Sequence, residues 1–402
     1  MSEREKKAGL FVSVTLGMLT AFGPFVTDFY LAVMPEMMEY FRTSASQVAA
    51  SLTAGMIGLA AGQLFIGPLS DKYGRKRLLV GSMLLFAIAS LGCIFTHSIV
   101  VFNMMRVVQG FAGAGGIVIS KSMATDLYSG KRLTDFMALL QAINGVAPVV
   151  APIIGGSLTN FTSWQGVFVC LLALGVVLMV CSCRLKESLP RERRSRQNLY
   201  HTYGRLFHVL RNRRFLLSNL ANMFSGFMFF AYIAASPFVM QSVYGLSPFE
   251  FSLCFGLCAF MIGVGAALAT RFHHANTALK WASIDMAVAA GLTAVCQWCR
   301  LPLAVLMPCY VYMLVCFGLL QPVATAIALD AERDNAGAAS AVFGASLFVA
   351  GTFSSPLVGL GDLLVSSGLL YVAGAVACMA VTLPLCSTIK REALEKGPEG
   401  GA

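Results

Sequence analysis

The sequence predicts an all-α membrane protein of twelve transmembrane helices, arranged as two six-helix bundles. Three observations predict it. The first is composition: of 402 residues, 57% are hydrophobic and 12% are charged, whereas a soluble domain carries roughly 25% charged residues. So few charges cannot clothe a water-soluble fold of this length. The second is continuity. The apolar residues fall in unbroken stretches of roughly 18–25, long enough to cross a hydrocarbon layer of about 30 Å. Backbone groups in lipid must be satisfied internally, which restricts spans to helices and closed barrels, and long, non-alternating runs are helical. The third is that Lys and Arg gather in alternate loops, as expected when those loops stay in the cytoplasm.

The predicted spans are 8–35, 46–67, 78–96, 99–126, 133–160, 163–183, 215–242, 249–270, 280–298, 302–328, 336–360 and 363–388. The polar start MSEREKKA leads into a segment too long for a cleavable signal peptide and without a small-residue cleavage site, so it is taken as the first span. The eighth and ninth spans are separated only by the short RFHHANTALK. Basic residues lie at the N-terminus (Arg4, Lys6, Lys7) and after span two (Lys72, Arg75, Lys76, Arg77). They follow span four (Lys131, Arg132), fill 184–214, follow span eight (Arg271, Lys280) and span ten (Arg333), and close the chain (Lys390, Arg391, Lys396). Only Arg42 and Arg300 sit in the opposite loops. Both termini are therefore expected in the cytoplasm, and one missing span would scramble this alternation.

The net charge of +10 is thus a topology signal and argues against nucleic-acid binding. Of the twelve cysteines, most, such as Cys93, Cys170, Cys258 and Cys378, lie inside spans, where Cys is a small hydrophobe. Cys296 and Cys299 form a CxxC near the outer end of span nine, without the His or second Cys pair that a metal or redox site needs. No metal or cofactor is expected. The long polar stretch divides the chain into an N-terminal bundle (1–183), a basic cytoplasmic linker (184–214) and a C-terminal bundle (215–402). The linker is expected to lie on anionic headgroups as short amphipathic helices. Two such halves suggest bundles that rock about a site near the midplane, and the interruption of spans by Pro24, Gly145, Pro148, Pro152, Pro237, Pro322 and Pro356 fits a bundle that changes shape, although Gly and Pro are common in membrane helices.

Four segments are more specific. After span two the chain reads Gly67-Pro68-Leu69-Ser70-Asp71-Lys72-Tyr73-Gly74-Arg75-Lys76-Arg77. Span four holds Arg106-Val-Val-Gln109-Gly110 and ends at Asp126. Span five holds Gly145 and then Ala151-Pro152-Ile153-Ile154-Gly155-Gly156. Span one holds Thr27-Asp28-Phe29-Tyr30-Leu31 and then Pro35. The first spacing, G-x-L-x-D-x-x-G-R-[KR]-[KR], resembles the signature loop of the major facilitator superfamily, and the next two resemble its second and antiporter motifs. The span-one stretch, with Ser236-Pro237-Phe238-Val239 and Leu329-Asp330 … Ala336-Gly337-Ala338-Ala339-Ser340, is similar to the bicyclomycin-resistance (Bcr/CflA) branch of drug:proton antiporters. There are departures: Ala151 replaces the Gly of the wider antiporter motif, as is common in that branch; Ala32 stands where the branch often has Pro; and the loop after span eight keeps little of the signature.

The resemblance implies the major facilitator fold in a bacterial inner membrane, no enzymatic activity, and efflux of small drugs or metabolites in exchange for protons. A monomer is expected, with membrane lipids as its surroundings. It also implies a cytoplasmic gate built from Gly67, Asp71, Gly74, Arg75 and Asp126. Gly145, Pro152, Gly155 and Gly156 would permit close contacts along an antiporter helix. The alternative is a proton-coupled transporter of one specific metabolite or peptide.

An ionisable group inside a span is costly and marks function by default. Asp28 lies about 12 Å, and Arg106 about 10 Å, from the outer ends of their spans at 1.5 Å per residue. A carboxylate at that depth resists ionisation, and a nearby Arg promotes it, so the pair is expected to carry the coupling proton. The alternative is a permanent Asp28–Arg106 ion pair that only fixes packing. Tyr30, Gln109, Asn144, Asn222, Tyr232, Gln241 and Gln321, with Phe227 and Phe230, are candidates to line a substrate cavity, although each could simply bond a neighbouring helix. Glu36 is expected to be solvated, Asp285 to pair with Lys280 or Arg271, and Lys121 to snorkel. The five His residues all fall in loops or the linker, and no Ser/His/Asp, HExxH or P-loop pattern is present. An enzyme is therefore not expected, and the lack of a P-loop argues against ATP drive on this chain.

Overall fold

The computed structural model describes residues 3–194, 208–272, 274–332 and 336–395; the middle of the expected linker, 195–207, lies outside them. Every regular element among the described residues is helical. The first span is broken into α1 (Glu3–Thr20), α2 (Phe22–Thr27), a 3₁₀ turn (Leu31–Val33) and α3 (Met34–Tyr40), with a bend of 44° after Thr20. Pro24 has no N–H to return to the Thr20 carbonyl, so the ladder fails there, and Pro35 restarts a helix where no donor is required. Then come α4 (Ala45–Tyr73), α5 (Arg75–Phe95), α6 (Ile99–Leu127), α7 (Gly130–Leu158) and α8 (Trp164–Arg184). Ser44 caps α4 by accepting from the Gln47 N–H at 3.3 Å. Gly74 ends α4 and turns the chain into α5 at φ 99°, a conformation that favours glycine.

The second series is α9 (Arg213–Pro237), α10 (Pro248–Ala269), α11 (Ala275–Trp298), α12 (Leu303–Ala331), α13 (Ala336–Ser354) and α14 (Leu363–Glu395). Asn212 caps α9 through the N–H groups of Arg214 (3.0 Å) and Phe215 (3.3 Å). Pro237 removes a donor at the end of α9, and the chain continues as a π-helical turn, Phe238–Val243.

Among the described residues, ten helices are long and apolar enough to cross a membrane, and the bent first pair makes an eleventh crossing. The expected fourth span, α6, is not among them. It is 29 residues long, roughly 43 Å at 1.5 Å per residue. Its Asn103, Arg106, Gln109 and Lys121 make it less apolar than its neighbours. The chain is a multi-pass helical membrane protein.

By contacts it divides into two compact units: Met1–Thr202 with Met240–Gly256, and Tyr203–Val239 with Leu257–Ala402. In the first unit α6 packs against α4 and α5 as well as α1 and α2. A side chain on Gly58 would overlap the Val107 carbonyl, and one on Gly110 the Gly55 carbonyl. Backbones that close bring α6, with its polar side chains, against the helix-1 break.

Candidate functional site

The break in the first span leaves backbone groups without partners, as any helix end does. The Val26 carbonyl is one, and Arg106 fills it: its Nη2 donates to Val26 O at 2.6 Å. Arg106 also donates from Nη1 to Gln109 Oε1, and its guanidinium lies 4.4 Å from the centre of the Tyr30 ring and 5.9 Å from that of Phe168. Gln109 donates to Ser90 Oγ at 2.7 Å, and the Tyr30 hydroxyl bonds Ser51 Oγ at 2.8 Å. Arg106, Tyr30, Gln109, Ser51 and Ser90 are all fully buried. The guanidinium therefore rests on neutral oxygens and aromatic faces.

Asp28 follows α2 directly and is 5% exposed. Its Oδ1 and the Nε of Arg106 are both buried without a hydrogen-bond partner, and no Asp28–Arg106 ion pair is formed among the described residues. The permanent pair weighed from the sequence is thus not what the structure shows. Arg106 instead contacts Val26 and Tyr30, the residues two positions to either side of Asp28.

A second cluster lies at the far end of the same helices. Arg75, 8% exposed, binds Asp126 (16% exposed) at 3.1 Å, Asp71 (48% exposed) at 2.5 Å and Ser70 Oγ at 2.6 Å. The deeper Asp126 contact is the stronger, because an exposed ion pair is largely screened. Sequence reading missed two members. Glu187 accepts the Arg75 backbone N–H at 2.9 Å, at the N-terminus of α5, and Ser188 donates to Asp126 Oδ2 at 2.8 Å. Both belong to KESLP, which reads as the start of a polar linker; nothing in that string reveals that it straps the signature loop. A Cβ on Gly67 would meet Val118 at only an ordinary contact distance, whereas one on Gly74 would press on Glu187 at 2.5 Å and Arg194 at 2.7 Å.

The α7 residues part company. Gly155 and Gly156 are buried, and side chains there would overlap the Phe29 carbonyl and Ser252 respectively. Pro152 is buried on the same stretch. Gly145 differs from expectation: it is exposed with open space where a Cβ would sit, because the close approach occurs three turns further along.

Of the cavity candidates, Tyr30, Gln109, Asn222, Tyr232 and Phe230 are in the packed interior of their units. Asn222 donates to the Phe343 carbonyl (2.9 Å) and Ser346 (3.2 Å), tying α9 to α13. Tyr232 stacks edgewise on Tyr310, whose hydroxyl accepts from Gln297 at 2.8 Å. Within hydrocarbon a polar side chain finds its partner on the next helix, as Tyr30, Gln109 and Asn222 have done. Asn144, Phe227, Gln241 and Gln321 are half-buried; Gln321 donates to Ser225 (3.3 Å) and Gln241 to the Ala32 carbonyl (3.1 Å).

Asp285 also departs from expectation. It faces Tyr312 and Cys316 of α12, while Lys280 lies beside Cys386 of α14. The five-residue offset turns them about 140° apart on a helix of 3.6 residues per turn, so they do not pair. Glu36, exposed as expected, accepts the Trp164 N–H at 3.1 Å at the start of α8. Cys296 approaches Cys309 Sγ at 3.7 Å, a partner from α12 that the CxxC spacing does not reveal.

The sequence profile of the Major Facilitator Superfamily matches residues 15–356. An uncharacterized MFS-type transporter, YdgK of Bacillus subtilis, is 34% identical over 89% of this chain and 90% of its own length. The bicyclomycin resistance protein homolog of Haemophilus influenzae is 29% identical over 94% of this chain and 96% of its own. Multidrug resistance protein D of Escherichia coli is 27% identical over 85% and 86%. Among solved structures, a D-xylose–proton symporter superposes with TM-score 0.75 at 14% identity, covering 94% of this chain and 97% of its own. That likeness is one of fold alone.

Proposed function

The chain belongs to the Major Facilitator Superfamily, and on that premise we propose that it exports small amphipathic compounds in exchange for protons, with Asp28 as the proton carrier. The observation that carries this reading is the pair of buried, unbonded atoms, Asp28 Oδ1 and Arg106 Nε, on groups that bracket one helix break. A protonated Asp28 is neutral and tolerates burial. Loss of the proton creates a carboxylate in a dry site, where a buried charge demands a partner. Arg106, which contacts Val26 and Tyr30 two residues to either side, supplies it in this reading, and must loosen its hold on Val26 or Gln109 to do so. Proton release then changes the geometry of the break, and a change of geometry changes the affinity for the proton.

Arg75, Asp71, Asp126 and Glu187 act in this reading as a cytoplasmic latch that biases the conformational equilibrium without touching substrate. The names of the Haemophilus and Escherichia relatives support drugs as cargo. The basic loops support an inner-membrane protein with both termini in the cytoplasm. The membrane potential supplies about 2.3 kcal/mol per proton per 100 mV.

The test is transport in everted vesicles with a fluorescent pH-gradient probe, using the cationic dye ethidium and a panel of neutral compounds. Substrate addition should release a preformed gradient in the wild type and leave it intact in Asp28→Asn, with both proteins inserted equally. Retention of full proton release by Asp28→Asn would remove Asp28 from the mechanism.

A further inference from the structure

We propose that Gln241 is a positioning residue that holds the helix-1 break closed around Asp28 and so prevents protons from leaking past it. This inference rests on the proton-exchange reading above. It begins with a missing donor. In the 3₁₀ turn Leu31–Val33 the Ala32 carbonyl would accept from residue 35, but Pro35 has no N–H. Ala32 is 1% exposed, so its carbonyl cannot turn to water instead, and a buried carbonyl left unpaired is costly. Gln241 Nε2 supplies the bond at 3.1 Å.

The donor is placed by an uncommon piece of backbone. Pro237 interrupts the ladder at the end of α9, and the next turn is π-helical, Phe238–Val243. Such turns are rare and gather at functional sites. Val239 and Met240 of that turn are fully buried, so Gln241 is presented from a fixed support.

The turn from Asp28 to Val33 is thereby held from three directions. Arg106 grips the Val26 carbonyl on the near side. Gly155 lies so close to the Phe29 carbonyl that no side chain would fit. Gln241 holds Ala32 on the far side, four residues beyond Asp28. Two of these supports, Arg106 and the Gly155 backbone, bear on residues within two positions of Asp28. Gln241 alone replaces a hydrogen bond that proline has deleted. Removing it frees the stretch between Asp28 and α3, which in this proposal is then opened to water.

Hydrogen–deuterium exchange of the purified full-length protein, read on peptides covering residues 28–36, tests the bond directly. Gln241→Ala, and the near-isosteric Gln241→Glu, whose ionised side chain cannot donate, should each raise exchange there by about tenfold, as loss of one buried bond predicts. Peptides from α12 and α14 should be unchanged. In everted vesicles without substrate, both variants should dissipate a pH gradient at least about threefold faster than wild type, that being a modest fraction of the same loss. The double variant Gln241→Ala with Asp28→Asn should not leak.

Unchanged exchange at 28–36, or a rise spread over the whole protein, overturns the assignment, the second because it would show a general packing role. A leak that persists in the double variant also overturns it, since the protons would bypass Asp28. Failure of the exporter reading is separate. It would appear as intact proton coupling in Asp28→Asn alone, whatever the exchange data show.

Discussion

Replacing Arg106 should separate transport from stability. The guanidinium is fully buried, and among the described residues it forms no ion pair with a carboxylate. Its favourable terms are two hydrogen bonds to a charged donor, to Val26 and Gln109, at about 1.5–3 kcal/mol each. The desolvated Tyr30 face adds about 2 kcal/mol, for a total of ~5–8 kcal/mol. Against this stands the loss of hydration of a buried ion, several kcal/mol by the same order of reckoning. The terms nearly cancel. Arg106→Met fills most of the volume but leaves the Val26 carbonyl and Gln109 Oε1 without a donor, at about 1–3 kcal/mol each, so it should melt roughly 5–15 °C below wild type, remain folded at assay temperature and lose ethidium-driven proton release. Arg106→Lys keeps the charge but cannot span Val26 and Gln109 together, so it should retain partial transport. Arg106→Ala adds a cavity and should be the least stable. The assays are thermal unfolding in detergent and the vesicle gradient readout. If Arg106→Met transports like wild type, no fixed cation is needed beside Asp28. If transport falls only in step with the folded fraction, Arg106 is a structural prop.

Two glycines of α7 should behave oppositely. Gly155→Ala would drive a methyl into the Phe29 carbonyl and should cost about 1–3 kcal/mol by overpacking, with transport falling. Gly145→Ala meets open space and should be neutral or stabilising by about 0.4–1 kcal/mol; thermal melts and dye efflux check both, and equal effects would refute the packing account. Glu187→Ala removes the acceptor for the Arg75 N–H at the start of α5. A lost cap plus a lost charge at a helix N-terminus amounts to about 1–2 kcal/mol. Turnover should change severalfold with KM for substrate nearly constant, and a large change in KM alone would count against a latch.

The spans were legible because hydrocarbon imposes one rule, a long apolar helix, on every crossing. The twelve predicted segments overlie the helices from α1 to α14 closely, even where α2, α3 and the π-helical turn break them. The departures share a cause. A polar residue inside a span declares that it has a partner without saying which helix provides it. Asp285 looked able to reach Lys280 in sequence, yet helical rotation turns the two toward different helices. Tyr30 and Gln109 looked equally suited to a cavity or to a neighbouring helix, and the structure gives them Ser51, Ser90 and Arg106. Glu187 and Ser188 were invisible for the converse reason: in a polar linker, another charge carries no signal.

The break in the first span joins the two kinds of information. Its prolines are plain in the sequence, and each deletes one backbone donor. The sequence does not show what replaces those donors. The structure supplies Gln241 for the Ala32 carbonyl that Pro35 leaves without a donor, and Arg106 for the Val26 carbonyl at the end of α2, both from segments remote along the chain. Asp28 lies between these two repairs. A carboxyl placed at a point where the backbone depends on borrowed donors can compete for one of them when it loses its proton. In an unbroken helix the same carboxyl would find no such donor to take, because the backbone N–H and C=O groups would already be paired with one another. In the proposed exchange, the broken stretch between Thr27 and Met34 is what lets a change of charge on one side chain become a change of shape in the span.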